Sequence, residues 1–374
     1  MRITPTKVRR FVTDPGYAGM VIRTNLSRWG WRLGRRWGYA PPPDGVVFFL
    51  TDRCNLRCSF CAQWGEKGLR KDLPPMVMKE EILGDLIDQV APWKPTVTLM
   101  GGEPLLYPSW KWAVEKVKSA GMSCVLVTNG TLLAEHAHDL VEAGLDMVWL
   151  SLDGPRKIHD GVRGEGVYDK ATAGIRALDS ARKELGSERP EISVGATISE
   201  ATYRTLPELA ESLREFPIRR LAVQHLYFVT PQQMEEHNSQ VGELLGIRST
   251  TVEGVVGSHG RIDSEELKRI LKTIKENRYP FDVIFMPDHP LSAIEAYYGD
   301  AEGYVRNSPK RCHFIWHMTT VYPDGSVTPC LNYPAGSILH RPFLKIWNGP
   351  QFRRFRCVVK RHGYFPACHR CCNS

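Results

Sequence analysis

No stretch of the 374 residues approaches the roughly twenty consecutive apolar residues that span a bilayer. The N-terminus lacks the apolar core of a secretory signal. Solenoid-type repeats and low-complexity tracts are absent as well. Acidic residues are scarce in one place: across residues 1–40, Asp14 alone faces Arg2, Lys7, Arg9, Arg10, Arg23, Arg28, Arg32, Arg35 and Arg36. Together these gaps exclude a membrane-spanning chain, a repeat array and a disordered polymer, and they lead us to expect a reducing, cytoplasmic setting. The ten cysteines then read as metal thiolates rather than disulfides, because most fall into two groups.

What is present is enough for a sizeable core. The chain is 42% hydrophobic and 24% charged, which suits two or three structural units. The net charge of +8 equals the excess carried by the first forty residues, so the remainder is balanced. Within that segment Ile22, Leu26, Trp29, Leu33 and Trp37 recur at helical spacing, with arginines between them, until Pro41-Pro42-Pro43 ends the pattern. A basic face beside tryptophans fits peripheral contact with an anionic membrane through residues 20–40. Gly30, Gly34 and the narrow apolar stripe favour instead a helix packed on one end of the fold, its arginines in water. No nucleic-acid motif accompanies these basic residues, so nucleic acid is not an expected partner.

From residue 45 short apolar runs alternate with amphipathic stretches. Strands are expected at Val46–Leu50, Thr96–Met100, Cys124–Thr128, Met147–Leu152, Ile192–Ile198 and Leu221–Phe228. Helices are expected at Met78–Val90, Trp110–Ser119, Leu132–Ala143, Ala171–Leu185 and Leu206–Phe216. Such alternation implies an α/β fold with a parallel sheet and right-handed crossovers. Between residues 229 and 311 only one helix is legible, from Asp263 or Ser264 to about Lys275, with Asp263 and Glu266 as caps.

The chemistry is carried by the loop after the first strand, TDRCNLRCSFC, with Cys54, Cys58 and Cys61. Three thiolates can hold a four-iron cluster and leave one iron without a protein ligand, where a substrate can bind. Structural zinc would need a fourth ligand, and nothing nearby offers one at the usual spacing. After the second strand come Gly101-Gly102-Glu103-Pro104, after the third Thr128-Asn129-Gly130, and after the fourth Ser151-Leu152-Asp153-Gly154. All sit at the carboxyl ends of strands, where barrel enzymes build their sites.

The cysteine triplet with GGEP resembles the radical S-adenosylmethionine (SAM) superfamily. The resemblance implies a partial (βα)6 TIM-like barrel, a SAM-binding 4Fe-4S cluster on Cys54, Cys58 and Cys61, and SAM contacts from Phe60, Gly101, Gly102, Glu103, Asn129, Ser151 and Asp153. It also implies reductive cleavage of SAM to a 5′-deoxyadenosyl radical that takes hydrogen from an unactivated C–H bond, with a reducing partner such as flavodoxin or ferredoxin. The tail carries Cys312, Cys330, Cys357, Cys368, Cys371 and Cys372. Its Tyr322-Pro323-Asp324-Gly325 turn and closing Cys368-His369-Arg370-Cys371 resemble the SPASM and Twitch extensions of that superfamily. One auxiliary 4Fe-4S cluster on Cys312, Cys330, Cys368 and Cys371 is the implied ligand set, leaving Cys357 and Cys372 unassigned; a four-cysteine zinc site is the structural alternative.

The expected organisation is a basic segment (1–43), the barrel core (44–230), a connecting region (231–311) and a small cysteine-rich extension (312–374). Cys124 reads as a small core residue. His225 and Tyr227, near the end of the sixth strand, are the candidates for substrate contact or proton donation. The expected activity is that of an oxidoreductase on a small-molecule, lipid-linked or peptide substrate. Alternatives are a peptide maturase, a lipid-modifying enzyme, or a non-catalytic iron-sulfur or zinc scaffold.

Overall fold

A computed structural model of the chain describes residues 35–65, 68–70, 72–250, 253–257, 261–299, 312–330 and 333–371. The uninterrupted apolar run after Gly45 forms strand β1 (Gly45–Thr51), buried along its whole length. β-branched and aromatic side chains favour extended backbone, and a parallel strand covered on both faces has no need of alternation. Next come β2 (Thr96–Gly101), β3 (Ser123–Thr128), β4 (Met147–Ser151), β5 (Glu191–Ile198) and β6 (Arg220–His225), each parallel to the one before.

The crossovers are helical: α1 (Glu80–Val90), α2 (Trp110–Ser119), α3 (Leu133–Glu142), α4 (Arg156–Arg163), α5 (Val167–Glu184), α6 (Leu206–Ser212), α7 (Pro231–Leu245) and α8 (Ser264–Glu276). In α1, Leu83, Leu86, Ile87 and Val90 form the i, i+3, i+4, i+7 stripe, and all four join the same core as Val97 and Leu99 of β2. Each such side chain contributes about 1.5–3 kcal/mol on burial. Cys124 is one of the core residues under the helices, as its strand position suggested.

The structure adds elements that the periodicity did not disclose. The helix expected from Ala171 begins at Val167, and α4 precedes it, the two separated by Gly164 at φ +127° and Gly166 at φ +73°. Those left-handed positions suit glycine and break a helix that side-chain spacing alone cannot divide. The sixth strand ends at His225, because Phe228 turns away to pack against Tyr297 and Tyr298 of α9 (Ile294–Gly299). A further strand, β7 (Asp282–Met286), extends the parallel sheet beyond β6. Helix α8 is capped as expected by Asp263, whose carboxylate accepts from the Glu265 and Glu266 N–H groups at 2.9 Å. The Glu266 side chain instead meets the Tyr203 hydroxyl and Arg204.

The tail is stitched to the opposite edge of this sheet. After α10 (Phe314–His317), strand β8 (Met318–Val321) pairs parallel to β1. Then β9 (Ser326–Thr328) and β10 (Gly336–Ser337) add antiparallel neighbours, so the ten strands run β10-β9-β8-β1-β2-β3-β4-β5-β6-β7. Two further helices follow, α11 (Phe343–Trp347) and α12 (Pro350–His362).

Most of the basic amphipathic segment lies outside the described residues. Its end, a 3-10 turn at Arg35–Trp37, is held to α12 by bonds from Lys360 to the Arg35 carbonyl and from Arg353 to the Trp37 carbonyl. Buried Arg356 adds bonds to the carbonyls of Gly38, Ile315 and Trp347. No helix of the described residues is long and apolar enough to cross a membrane.

Candidate active site

Every N-terminal motif singled out in the sequence follows a strand of the same sheet, and hydrogen bonds knit these strand ends together. Two backbone bonds clamp the cysteine loop to the end of β2: Gly102 N–H to Thr51 O and Glu103 N–H to Arg53 O, both 2.8 Å. The approach is so close that a Cβ on Gly101 would stand 2.1 Å from Thr51 O, and one on Gly102 2.3 Å from Arg53 O. The glycine pair therefore serves the loop that carries the thiols. Inside the loop, Asp52 is buried, accepts from Met76 N–H and pairs with Arg70. The Trp64 indole donates to the Asp52 carbonyl at 2.6 Å.

Each thiol of the loop has an N–H directed at its sulfur. Leu56 N–H lies 3.4 Å from Cys54 Sγ, Trp64 N–H 3.4 Å from Cys61 Sγ, and Arg163 Nη1 3.8 Å from Cys58 Sγ. Burial pushes the Cys54 thiol up and the Cys58 thiol to about 11, and the neighbouring loop sulfurs add to both shifts. Arg163 opposes the shift at Cys58. Three free thiols that repel one another when ionised, ringed by donors, form a donor set suited to a positively charged iron-sulfur centre, whose binding would deprotonate them.

Glu103 lies behind this loop, fully buried. Its Oε1 accepts from Leu105 N–H at 3.1 Å and from the Thr128 hydroxyl at 2.7 Å, while Oε2 accepts from Asn129 N–H at 2.9 Å. A carboxylate has about four acceptor positions, so Oε2 retains capacity for a cationic ligand. Burial raises its pKa to about 7, and an ammonium beside it would restore the charge. Asn129 bridges onward to Asn55 at 2.9 Å and approaches Cys54 Sγ at 4.0 Å, tying the end of β3 to the cysteine loop.

The fourth strand contributes Asp153, also fully buried, which accepts from Thr197 N–H and pairs with Arg163 Nε at 2.5 Å. Arg163 also lies 5.6 Å over the ring of Phe60, which is half-buried on the loop. Ser151 is half-buried at the end of β4, opposite Gly195. Arg163, Asn55 and buried His159, whose Nδ1 accepts from Asp153 N–H at 3.1 Å, escaped the sequence reading; the signal for Arg163 was its place at the last turn of a short helix ten residues after Asp153.

His225 ends β6, and Tyr227 follows it. His225 is fully buried, with Nδ1 2.8 Å from the Tyr298 hydroxyl, and burial lowers its pKa to about 3. The Tyr227 hydroxyl donates to the Ala367 carbonyl in the tail. Cys312, Cys330, Cys357, Cys368 and Cys371 are half-buried, and thiols are the side chains that iron-sulfur centres take as ligands. Cys368 and Cys371 share one turn, closed by a bond from Cys371 N–H to the Cys368 carbonyl. Cys372 lies outside the described residues.

Comparison with known proteins places this arrangement. Residues 48–186 match the Radical SAM superfamily and residues 312–372 match an iron-sulfur cluster-binding domain, SPASM. Fe-coproporphyrin III synthase of Methanosarcina barkeri is 34% identical over 81% of this chain and 73% of its own length. The chain belongs to the radical SAM superfamily. It therefore carries a SAM-binding 4Fe-4S cluster, SAM, and an auxiliary cluster in its SPASM extension. The tungsten-containing aldehyde ferredoxin oxidoreductase cofactor-modifying protein of Pyrococcus furiosus is 26% identical over 86% of this chain and 85% of its own length. Pre-heme d1 synthase of Dinoroseobacter shibae is 27% identical over 83% and 74%. The fold is shared with Streptococcus suis SuiB, at TM-score 0.62, 15% identity and 92% and 74% coverage. It is shared also with anSMEcpe bound to AdoMet, at TM-score 0.56, 18% identity and 87% and 88% coverage.

Proposed function

We propose that this radical SAM enzyme is an oxidoreductase that removes hydrogen from an unactivated C–H bond of a tetrapyrrole-class organic cofactor or its precursor. The observation that carries the reading is the clamped three-thiol loop in a chain whose relatives include Fe-coproporphyrin III synthase and pre-heme d1 synthase, matched over 73% and 74% of their lengths. In this reading Cys54, Cys58 and Cys61 hold the first cluster, and Glu103 and the Gly101-Gly102 backbone receive the amino group of SAM. Asn129, Ser151 and Asp153 border the rest of SAM, with Phe60 beside the adenine. When bound, the cluster and SAM supply a 5′-deoxyadenosyl radical.

The protein's own part is to hold and aim. Asp153 and Arg163 brace the loop from the β4 side, and the two β2 glycines brace it from the other, so the thiols keep one orientation. Cys312, Cys330, Cys368 and Cys371 would hold the auxiliary cluster, which would supply an acceptor for the second electron of a two-electron oxidation. We assign the chain to a basic segment, a barrel core, a covering region and the cysteine-rich extension, with a flavodoxin or ferredoxin as electron source.

Anaerobic enzyme incubated with SAM, dithionite and a panel of tetrapyrroles deuterated on their side chains, iron-coproporphyrin III and its more carboxylated precursors among them, tests this reading. Deuterium in the recovered 5′-deoxyadenosine and a porphyrin product lighter by two hydrogens, or by carbon dioxide together with two hydrogens, support it. Deoxyadenosine that never carries label from any tetrapyrrole, while a peptide or lipid substrate does transfer it, overturns the substrate class. No deoxyadenosine at all overturns the enzymatic reading.

A further inference from the structure

Helix α7 begins with a capping box: the Thr230 hydroxyl accepts from Gln233 N–H, and the Gln233 side chain reaches back to Thr230 N–H. Its inner face then runs along the tail segment that carries Cys368 and Cys371. Gln233 Oε1 accepts from Arg370 Nη1 at 2.9 Å, Met234 packs with Ala367, and the ring of His237 meets Phe365 edge-on at 5.8 Å between centroids. These three contacts bracket Cys368, which ends the 3-10 turn Pro366–Cys368 against which α7 packs.

On this face His237 is fully buried, and neither ring nitrogen has a hydrogen-bond partner. Burial lowers its pKa to about 4, so the imidazole is neutral and offers one N–H donor and one lone pair. A buried polar atom left unsatisfied costs about 1–3 kcal/mol, and native structures retain few of them. The tail supplies thiols in excess, since Cys312, Cys330, Cys357, Cys368 and Cys371 outnumber the four ligands that a cubane takes. Iron therefore has no need of the imidazole, whereas the cluster's sulfurs are acceptors in search of donors.

We propose that His237 donates a hydrogen bond from α7 to a sulfur of the auxiliary cluster and sets its reduction potential. Reduction adds negative charge to the cluster sulfurs, so a donor favours the reduced state. Gln240, one turn further on, has a buried side-chain oxygen that also lacks a partner, and a water between it and His237 is the competing occupant. The inference rests on an auxiliary cluster in the tail, so the test separates the two.

The full chain with Cys54→Ala, Cys58→Ala and Cys61→Ala substitutions isolates the tail cluster for iron analysis and EPR-monitored titration. In that background His237→Leu shifts the midpoint to more negative potential, by about tenfold in the reduction equilibrium or about 59 mV for one electron. His237→Gln, which keeps an N–H, recovers most of the shift. Pulsed EPR of the reduced cluster with 15N-labelled histidine shows a weak nitrogen coupling that His237→Leu abolishes. An unchanged midpoint with full iron, a coupling of iron-ligand strength, or no coupling in the His237-containing protein overturns the proposal. The last readout decides even if the variants lose iron. A triple variant devoid of iron and sulfide overturns the auxiliary cluster itself, a result distinct from each of these.

Discussion

Replacing Gly102 by alanine tests whether the glycine pair exists to bring the cysteine loop onto the end of β2. The added Cβ would stand 2.3 Å from Arg53 O, 2.6 Å from Arg53 C and 2.7 Å from Asp52 O, against the 3.4 Å at which ordinary contact begins. All three are backbone atoms, so no side chain can swing aside; the loop itself has to retreat by about 1 Å. Overpacking of this kind costs about 1–3 kcal/mol. Loss of the two clamping bonds adds about 0.5–1.5 kcal/mol each, for a local total of about 2–6 kcal/mol. A misplacement of about 1 Å at a reacting centre lowers rate by about 100-fold. We expect Gly102→Ala to lose about half of its iron after anaerobic reconstitution, the share of the first of two cubane clusters. Deoxyadenosine formation should fall by about 100-fold while the far-ultraviolet circular dichroism stays native. Gly161→Ala is the control, because nothing lies within 4 Å of its Cβ; as a helical substitution it should be neutral or stabilising by about 0.5–1 kcal/mol. Full iron and deoxyadenosine within a few-fold of the parent in Gly102→Ala would refute the clamp.

Three further outcomes follow from the same geometry. Arg163→Leu strips buried Asp153 of its ion pair and should lower stability by about 3–5 kcal/mol in urea, with most of the loss recovered by adding Asp153→Asn. Glu103 has a folded pKa of about 7 against an ordinary 4.5, so the folded chain keeps a proton that the unfolded chain sheds between those values. Stability of the metal-free protein should therefore fall by about 3 kcal/mol as pH rises through that window, and Glu103→Gln should flatten this part of the profile in urea titrations at pH 5 and pH 8. Arg356→Met orphans the carbonyls of Gly38, Ile315 and Trp347; a loss of about 3 kcal/mol and faster proteolysis between residues 35 and 43 are expected.

The site was legible to the extent that its chemistry is local in sequence. Three cysteines on one loop, a glycine pair before a glutamate, and Asn129 and Asp153 just past strand ends all declare themselves, because parallel strands deliver their carboxyl ends to one side of the sheet. The strand and helix pattern from residue 45 to 225 was legible for a related reason: buried strands are apolar runs and covering helices are amphipathic, so burial writes the period into the sequence. Where burial is partial the record fades. Strand β7 is half-buried through most of its length and was unassigned, and the capping box that opens α7 passed unnoticed beneath a polar exterior.

The alternation of apolar runs with amphipathic stretches by itself pointed to the α/β class, and the motif resemblance pointed to the superfamily. Only the tertiary structure decided that the tail joins the parallel sheet through β8, that Gly101 and Gly102 press against the loop's own backbone, and that Arg163 and His237 face cysteine-bearing segments far from them along the chain. The reason is physical. A ligand's chemistry resides in one residue and its neighbours, whereas a counter-charge or an orphaned imidazole acquires meaning only from what the fold packs against it.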